Sequence, residues 1–238
     1  MDSRSGLCVI ESCILCKLRS DGFFCSLPRP PLEAFQRIKH PASYPSGAVV
    51  FLEGQAPRGI YILCQGQAKL STTGIEGHTL ILKIANPGEV LGLHTTITGK
   101  PYELTVETMQ PCQLNFIRRE DFMNFLKQHA DACLRAAQHV SHDLHSAYAL
   151  IRSICLSHSV SERLARLLLE RSSHASAAKG PVRVKLGCTH EEISELIGCS
   201  RETVTRTISD MRKDGIVDVR RSDLIIRNKA ALQRLVAS

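Results

Sequence analysis

The sequence lacks the features that mark membrane and secreted proteins. No apolar run approaches the roughly 20 residues that a membrane-spanning helix needs. Residues 1–10 also lack the basic region followed by an apolar stretch that a secretory signal would have. We therefore expect a cytoplasmic protein with no membrane partner. In that compartment its ten cysteines are not expected to form a disulfide framework.

Catalytic combinations of residues are missing as well. Histidines do collect in and near one helical segment, at His129, His139, His142, His145 and His158. His142 and His145 are three residues apart and could chelate a metal, but no carboxylate pair, nucleophile elbow or phosphate-binding loop accompanies them. We interpret the five as surface histidines of a helix and expect no enzymatic activity.

The composition is that of a folded, basic protein. The 238 residues, 43% hydrophobic and 22% charged, are typical of one large or two modest globular domains. The net charge is +7, and residues 159–238 hold 15 of the 30 Lys and Arg residues but only 10 of the 23 Asp and Glu residues. This basic C-terminal third favours a polyanionic partner.

The pattern along the chain predicts four segments. Residues 1–31 read as an irregular, cysteine-rich arm that ends in a proline-rich stretch, with a short helix at 32–38 after it. Short apolar runs separated by glycines predict an all-β barrel or sandwich within 32–118, with strands at 48–52, 60–63, 68–71, 80–84, 104–107 and 113–117. Residues 119–158 predict a long helix. Residues 159–238 predict a second domain, which opens with a capping box at Ser159.

Apolar residues of the long helix recur at alternating spacings of three and four. They are Ala137, Val140, Leu144, Ala147, Ile151 and Ile154. This spacing is typical of the seam of a coiled coil. Because an unpaired helix would leave the seam exposed, we predict a homodimer; the alternative is that the seam packs on the β domain of its own chain.

The C-terminal segment contains the pattern of a winged helix-turn-helix. Thr189 opens a capping box, Gly198 ends the helix that follows, and Ser200 caps a second helix over 201–214. Apolar runs at 216–219 and 224–226, joined by four polar residues, predict a hairpin wing.

Four polar side chains lie at the start of the second helix, away from its apolar face: Arg201, Glu202, Thr205 and Arg206. Arg can bind guanine, Glu can accept a hydrogen bond from cytosine, and Thr can contact thymine. We therefore predict that this helix reads the major groove of double-stranded DNA, with Thr189 and Ser200 as further contacts. The alternatives are a solvated helix face and a docking surface for protein, and the latter would lack a steep salt dependence.

The stretch 189–216, with IGCSRETVTR at 197–206, resembles the DNA-binding signature of the CRP/FNR family of bacterial transcription regulators. The resemblance covers nearly the whole chain. It implies an α+β chain with an N-terminal β-roll of the cyclic-nucleotide-binding jelly-roll type, a long dimerisation helix and a C-terminal winged helix-turn-helix. It also implies a transcription activator that binds palindromic promoter sites as a homodimer and contacts RNA polymerase. Arg201, Glu202 and Arg206 match base-reading positions of the catabolite-activator branch, so a TGTGA-like half-site is expected.

Cyclic AMP is not expected to be the signal. In the cyclic-AMP branch a Glu holds the ribose hydroxyl and an Arg holds the phosphate. Leu93 and Tyr102 stand at those places here, and Lys100 could replace the Arg only in a different geometry.

The cysteines of the arm point to a thiolate site. Cys13 and Cys16 form a close pair and Cys25 follows, which fits an iron–sulfur cluster, zinc or a redox dithiol. In the FNR branch three ligands lie in the arm and the fourth lies in the β-roll, shortly after a Glu-Thr pair, as Cys112 does. The resemblance thus implies a [4Fe–4S] cluster held by Cys13, Cys16, Cys25 and Cys112, with oxygen or nitric oxide as the signal.

Three alternatives remain open for these cysteines. Cys8 could be the fourth ligand in place of Cys112. The site could hold zinc or another metal. The chain could also bind no metal, in which case the cysteines are thiol sensors or bystanders and a small effector in the β-roll controls the same regulator.

Overall fold

The computed structural model describes residues 9–16, 23–157, 159–173, 182–184, 188–220 and 223–237. They belong to two compact units, Met1–Ser146 and Ala147–Ser238. Cys8, His158 and the tip of the predicted wing at 221–222 lie outside the described residues. No helix in the described ranges has the length and apolar content needed to cross a membrane.

The first unit is built around two antiparallel sheets. Within the described residues its strands are β1 (Lys39–Tyr44), β2 (Val49–Phe51), β3 (Gly59–Gln65), β4 (Ala68–Thr73), β5 (Thr79–Ala85), β6 (Val90–Leu91), β7 (Thr105–Thr108) and β8 (Cys112–Arg118). Its helices are α1 (Arg29–Ile38), α2 (Leu93–Thr98), α3 (Arg119–Gln128) and the start of α4 (Ala130–Leu156). The sheets have the strand orders β1-β8-β3-β6 and β2-β7-β4-β5, which is the predicted β-roll.

Strand β3 is buried because its two faces serve two different cores. Tyr61 and Leu63 point into the inner core between the sheets, which also contains Phe51, Leu91, Tyr102, Val106, Cys112 and Leu114. Ile60 and Ile62 point into an outer core, where helices cover the sheet. Other members of the outer core are Phe24, Leu27, Phe35, Ile117, Phe122 and Ala136. The alternation follows the two-residue period of a strand.

The arm is more integrated into the fold than the sequence indicates. Helix α1 begins at Arg29, within the segment assigned to the arm. Phe24 and Leu27 are each only 1% exposed and belong to the outer core.

Strands β1 and β6 are absent from the prediction. Strand β1 is mostly polar and contains Pro41. Among the described strands it lies at a sheet edge and pairs with β8 alone, where a missing N–H is tolerated. Strand β6 has only two residues and leaves no periodic signal.

The predicted long helix over 119–158 is two helices. They are separated at His129, which has an extended backbone (φ −130°, ψ 96°) and donates its N–H to the Phe125 carbonyl. No glycine or proline lies at the break, so the sequence carries no local signal for it.

The exposed residues of α4 differ in part from the predicted seam. Val140 is half-buried because it packs against the outer core of its own chain. The residues that are exposed on α4 at alternating spacings of three and four are Leu134, Ala137, Ser141, Leu144, Tyr148, Ile151 and Cys155. We call these seven residues the exposed stripe; they include Ala137, Leu144 and Ile151 of the predicted seam but not Val140, Ala147 or Ile154.

The second unit has the predicted winged helix-turn-helix with two additions. Its elements are α5 (Val160–Ser173), β9 (Val182–Val184), α6 (His190–Ile197), α7 (Arg201–Lys213), β10 (Val217–Arg220), β11 (Asp223–Ile226) and α8 (Lys229–Ala237). Strand β9 joins the predicted hairpin to give the order β10-β11-β9, and neither β9 nor α8 is predicted from the sequence.

Candidate nucleic-acid interface and effector sites

Side-chain caps set the geometry of the helix-turn-helix. Thr189 Oγ1 accepts a hydrogen bond from the Glu192 N–H (3.2 Å), and Glu192 Oε2 accepts one from the Thr189 N–H (2.7 Å), so the predicted capping box is present. Gly198 ends α6 in the left-handed conformation (φ 62°, ψ 58°) that glycine adopts without strain. Ser200 Oγ then accepts from the Thr203 N–H (3.2 Å) and starts α7. Thr189 and Ser200 therefore act as helix caps here.

Helix α7 has one buried and one exposed face. Val204, Ile208 and Met211 are in the core of the second unit. On the opposite face Arg201, Glu202, Thr205 and Arg206 are exposed, as predicted, and they line a shallow surface groove together with Ser209, Asp210 and Lys213. This face presents a basic and hydrogen-bonding surface at the helix start.

Glu202 is held in its ionised form. Hydrogen bonds from its own backbone N–H and from Ser200, with the nearby positive charge of Arg201, keep the pKa of the Glu202 carboxyl below its usual range. A carboxylate accepts hydrogen bonds and cannot donate them, which suits the amino group of cytosine.

His190 contacts the proposed reading surface and is absent from the sequence prediction. Its Nδ1 lies 3.0 Å from Thr205 Oγ1, and that hydroxyl donates to the Arg201 carbonyl (3.0 Å). The hydrogen bond between His190 and Thr205 links α6 to α7 at the proposed reading surface. The Thr205 methyl group remains available for contact.

The β-roll contains a cavity of about 410 Å³ beside its inner core. Phe51, Arg58, Tyr61 and Tyr102 are among the side chains that line it. The Tyr102 ring stacks on Phe51 (centroids 3.9 Å apart), and its hydroxyl donates to the Gly59 carbonyl (2.7 Å). Arg58 supplies a positive charge to the wall.

Two glutamines attach the arm to the β-roll unit. The Gln113 side chain accepts from the Ile10 N–H (2.7 Å) and donates to the Ile10 carbonyl (2.9 Å). The Gln36 side-chain oxygen accepts from the N–H groups of Cys13 (2.8 Å) and Ile14 (3.4 Å). Backbone groups make these attachments, so they do not occupy the Cys13 thiol.

A cysteine of strand β3 shares the outer core with the arm. Cys64 and Cys13 both pack against that core, and Asn115 Nδ2 donates to Cys64 Sγ (3.0 Å). Burial raises the pKa of the Cys64 thiol to about 12. The thiols of Cys25, Cys13 and Cys16 add to that rise, so all three lie within electrostatic range of Cys64. The described residues contain no group of three or more His, Cys, Asp or Glu side chains arranged to hold a metal ion.

Both halves of this architecture match known domains. The sequence model of the cyclic nucleotide-binding domain matches residues 41–129, and that of the Crp-like helix-turn-helix domain matches residues 162–235, together more than half of the chain. The chain belongs to the CRP/FNR family of transcription regulators. It is 24% identical over 207 residues to the Global nitrogen regulator of Synechocystis sp., covering 86% of this chain and 88% of that one. It is 23% identical over 198 residues to the cAMP-activated global transcriptional regulator CRP of Salmonella typhimurium, covering 83% and 94%.

Solved structures of the same architecture are similar to this chain over most of its length. FixK2 from Bradyrhizobium japonicum has a TM-score of 0.73 at 20% identity, covering 84% of this chain and 98% of that one. The c-di-GMP responsive global regulator CLP of Xanthomonas campestris has a TM-score of 0.73 at 22% identity, covering 83% and 98%. At these identities the likeness shows the fold alone.

In this CRP/FNR regulator, neutral side chains occupy the two positions that would be expected to hold a cyclic nucleotide. Leu93 is 3% exposed and belongs to the outer core. The Tyr102 ring packs so closely on Gly92 that a Cβ there would lie 2.7 Å from Tyr102 Cε1. Lys100 is exposed.

The predicted grouping of Cys112 with the arm cysteines is not formed. Along β8 the Gln113 and Asn115 side chains face the arm and Cys64, whereas Cys112 and Leu114 point into the inner core. Cys112 is fully buried there, and its Sγ lies 3.2 Å from the Gln67 carbonyl oxygen. The alternation of side chains along a strand places the Cys112 thiol on the opposite face of the sheet from the arm.

The interpretation of the helix histidines as surface residues is wrong for His139. It is fully buried, and its Nε2 accepts from the Val90 N–H (3.2 Å). Its Nδ1 lies 3.0 Å from Asp143 Oδ2, and Asp143 also pairs with Lys83 (2.9 Å). The Phe23 ring of the arm packs on His139, with centroids 4.4 Å apart. His139 therefore joins the arm, α4 and the β-roll.

Proposed function

We propose that this regulator binds palindromic promoter DNA as a homodimer and that a metal centre on its cysteine-bearing arm controls it. The observation that carries the DNA-binding part is the exposed face of α7, where Arg201, Glu202 and Arg206 lie at the start of a capped helix. In a dimer formed through the exposed stripe, two such helices would reach successive major grooves, roughly 34 Å apart. Activation through RNA polymerase is part of the same proposal.

Arg201→Ala tests base reading. Removing a two-bond contact to guanine should relax preference at one base pair of each half-site, by roughly 1–3 kcal/mol. Selection of binding sites from a random DNA pool measures this. Lys213→Ala, in the last turn of the same helix, is the control and should weaken binding without changing the preferred sequence. An unaltered preference in the Arg201 variant would remove the base-reading role.

The sensing part of the proposal rests on the chemistry of the arm. The arm supplies three thiol groups, those of Cys13, Cys16 and Cys25, and each lies within electrostatic range of Cys64. Thiolates are the ligands that iron–sulfur clusters and zinc prefer. We propose that these three arm cysteines hold a [4Fe–4S] cluster. Such a cluster, when bound, supplies reactivity toward oxygen or nitric oxide.

The contact between Phe23 and His139 provides the link from arm to helix. Phe23 lies two residues before Cys25 and packs on His139 of α4, which also contacts strand β6. A change in the position of the arm would thus change the packing of the helix that bears the exposed stripe. Coupling requires that the centre favour one helix arrangement over another.

Purification without oxygen tests the metal centre. We expect a brown protein that contains iron and acid-labile sulfide and bleaches in air. A colourless protein without either element after attempted reconstitution would exclude the cluster, whereas the DNA-binding proposal would stand.

The second candidate is control by a small effector in the β-roll. The cavity of about 410 Å³, with Arg58 and three aromatic side chains in its wall, favours a small anionic ligand with a flat apolar part. Because Leu93 and Tyr102 occupy the expected nucleotide positions, we propose that this ligand is not cyclic AMP. Calorimetric titration with cyclic AMP should give no heat of binding.

A further inference from the structure

The outer core contains a positive charge that has no partner among the described residues. Lys39 is 8% exposed, and its Nζ is fully buried without a hydrogen-bond partner. A buried and unpaired ammonium group is strongly destabilising, so such groups are normally found beside an anion. The environment of Lys39 therefore indicates that negative charge belongs next to it.

Lys39 lies beside the cysteines. It pairs with Ile117 of the outer core, and its charge opposes the rise in the pKa of the Cys64 thiol, to which Cys25, Cys13 and Cys16 contribute. Asn115 adds a second incomplete group, because its Nδ2 donates to Cys64 Sγ while its Oδ1 is buried without a partner. Cys64, Asn115 and Lys39 thus lie on the outer-core face of the β1-β8-β3-β6 sheet, Cys13 packs against the same core, and Cys16 and Cys25 lie within electrostatic range of Cys64.

We propose that Cys64 is the β-roll ligand that completes a four-thiolate metal centre with Cys13, Cys16 and Cys25, and that Lys39 compensates its negative charge. The inference rests on the proposed function, since it names a ligand of the same centre. A divalent core with four thiolate ligands has a net negative charge, whether the core is an iron–sulfur cluster or zinc. Asn115 would donate to a ligand sulfur, as expected around such centres.

The proposed centre would leave the backbone attachments of the arm in place. The thiols of the described residues do not form a coordination sphere as they stand. The glutamine contacts hold the backbone of Ile10 and Cys13, so formation of the centre would require the thiols to approach one another by rotation of their side chains. Cys112 cannot take part in this way, because its thiol lies in the inner core.

Paired cysteine variants of the full chain test the assignment. Cys64→Ser and the matched control Cys112→Ser would each be loaded anaerobically with iron and sulfide, and separately with zinc alone. The readouts are metal content and the number of sulfur ligands from X-ray absorption. We expect Cys64→Ser to lower metal affinity at least tenfold and to lose one sulfur ligand, and Cys112→Ser to match the unaltered chain. Binding of iron with sulfide identifies a cluster, and binding of zinc alone identifies a zinc site; either supports the inference.

Lys39→Met provides a second measurement that does not depend on a cysteine change. Removal of the unpaired cation should raise the thermal stability of the metal-free protein and lower its metal affinity about tenfold.

The two proposals fail in different ways. If the unaltered chain binds metal and the Cys64 variant keeps it while the Cys112 variant loses it, only this inference is overturned. If the unaltered chain binds neither iron nor zinc, the proposed metal control fails and this inference fails with it.

Discussion

Replacing Leu144 by Glu in the exposed stripe is expected to convert the proposed homodimer to monomers. Leu144 is 51% exposed at the middle of the stripe, and a partner helix would bury it against the partner's own stripe. The substitution would place two unpaired carboxylates at one layer of the interface, which costs about 3–5 kcal/mol and weakens the dimer by ~100-fold or more. Light scattering should show the mass halved, and affinity for a palindromic site should fall in parallel because each monomer holds a single half-site.

Gln138→Glu is the matched control for this change. Gln138 is exposed on α4 next to the stripe, so the substitution adds the same charge outside the predicted contact layer. It should leave the dimer intact. A Leu144→Glu protein that remains dimeric would show that the stripe is not the interface.

Gly59→Ala is expected to disrupt the β-roll. A Cβ at this position would overlap the carbonyl oxygen of Ile117 and lie 2.9 Å from its carbonyl carbon, so β3 and β8 would have to separate. The Gly59 carbonyl also accepts hydrogen bonds from Tyr102 (2.7 Å) and Thr96 (2.8 Å), which would be lost with the displaced strand. We expect a loss of about 4 kcal/mol or more in the free energy of unfolding.

Tyrosine fluorescence during chemical denaturation measures this loss well. The chain has no tryptophan, and three of its four tyrosines, Tyr44, Tyr61 and Tyr102, lie in the first unit. Gly74→Ala is the control, because the nearest atom to a Cβ there is the His78 carbonyl oxygen at 3.8 Å. That control should change stability by no more than about 0.5 kcal/mol. A Gly59→Ala protein as stable as the control would contradict the predicted overlap.

The sequence predicts those parts of the fold that local periodicity and capping determine. The strand pattern of the β-roll is recovered because glycines separate its apolar runs, and the start of α7 is recovered because Ser200 is a good helix cap. Strand β1 is missed because only its place at a sheet edge makes Pro41 acceptable there. The predicted seam on α4 coincides only in part with the exposed stripe, because the spacing of apolar residues does not reveal which of them, such as Val140, pack partly against the β-roll.

The site is predicted less completely, since it depends on which face of a strand each residue occupies. The exposure of Arg201 and Arg206 follows from helical periodicity within α7. The position of Cys112 does not follow from its spacing after a Glu-Thr pair, because the register of β8 against β1 and β3 decides which core it enters. Ile60, Ile62 and Cys64 follow one another at spacings of two, so the sequence predicts that they share a face of β3. It does not show that the arm covers that face. Lys39 gives no signal at all, because only the tertiary packing buries it.

Strand β3 carries Tyr61 into the wall of the β-roll cavity and, three residues later, Cys64 into the region of the arm. A ligand in the cavity and a metal on the arm would therefore act on the same short stretch of backbone. If occupancy of one shifts that strand, the two affinities are linked by a single coupling free energy, and each ligand must change the binding of the other by the same factor. Such a protein would report the combination of a metabolite and a redox condition, with neither signal sufficient to define its state alone.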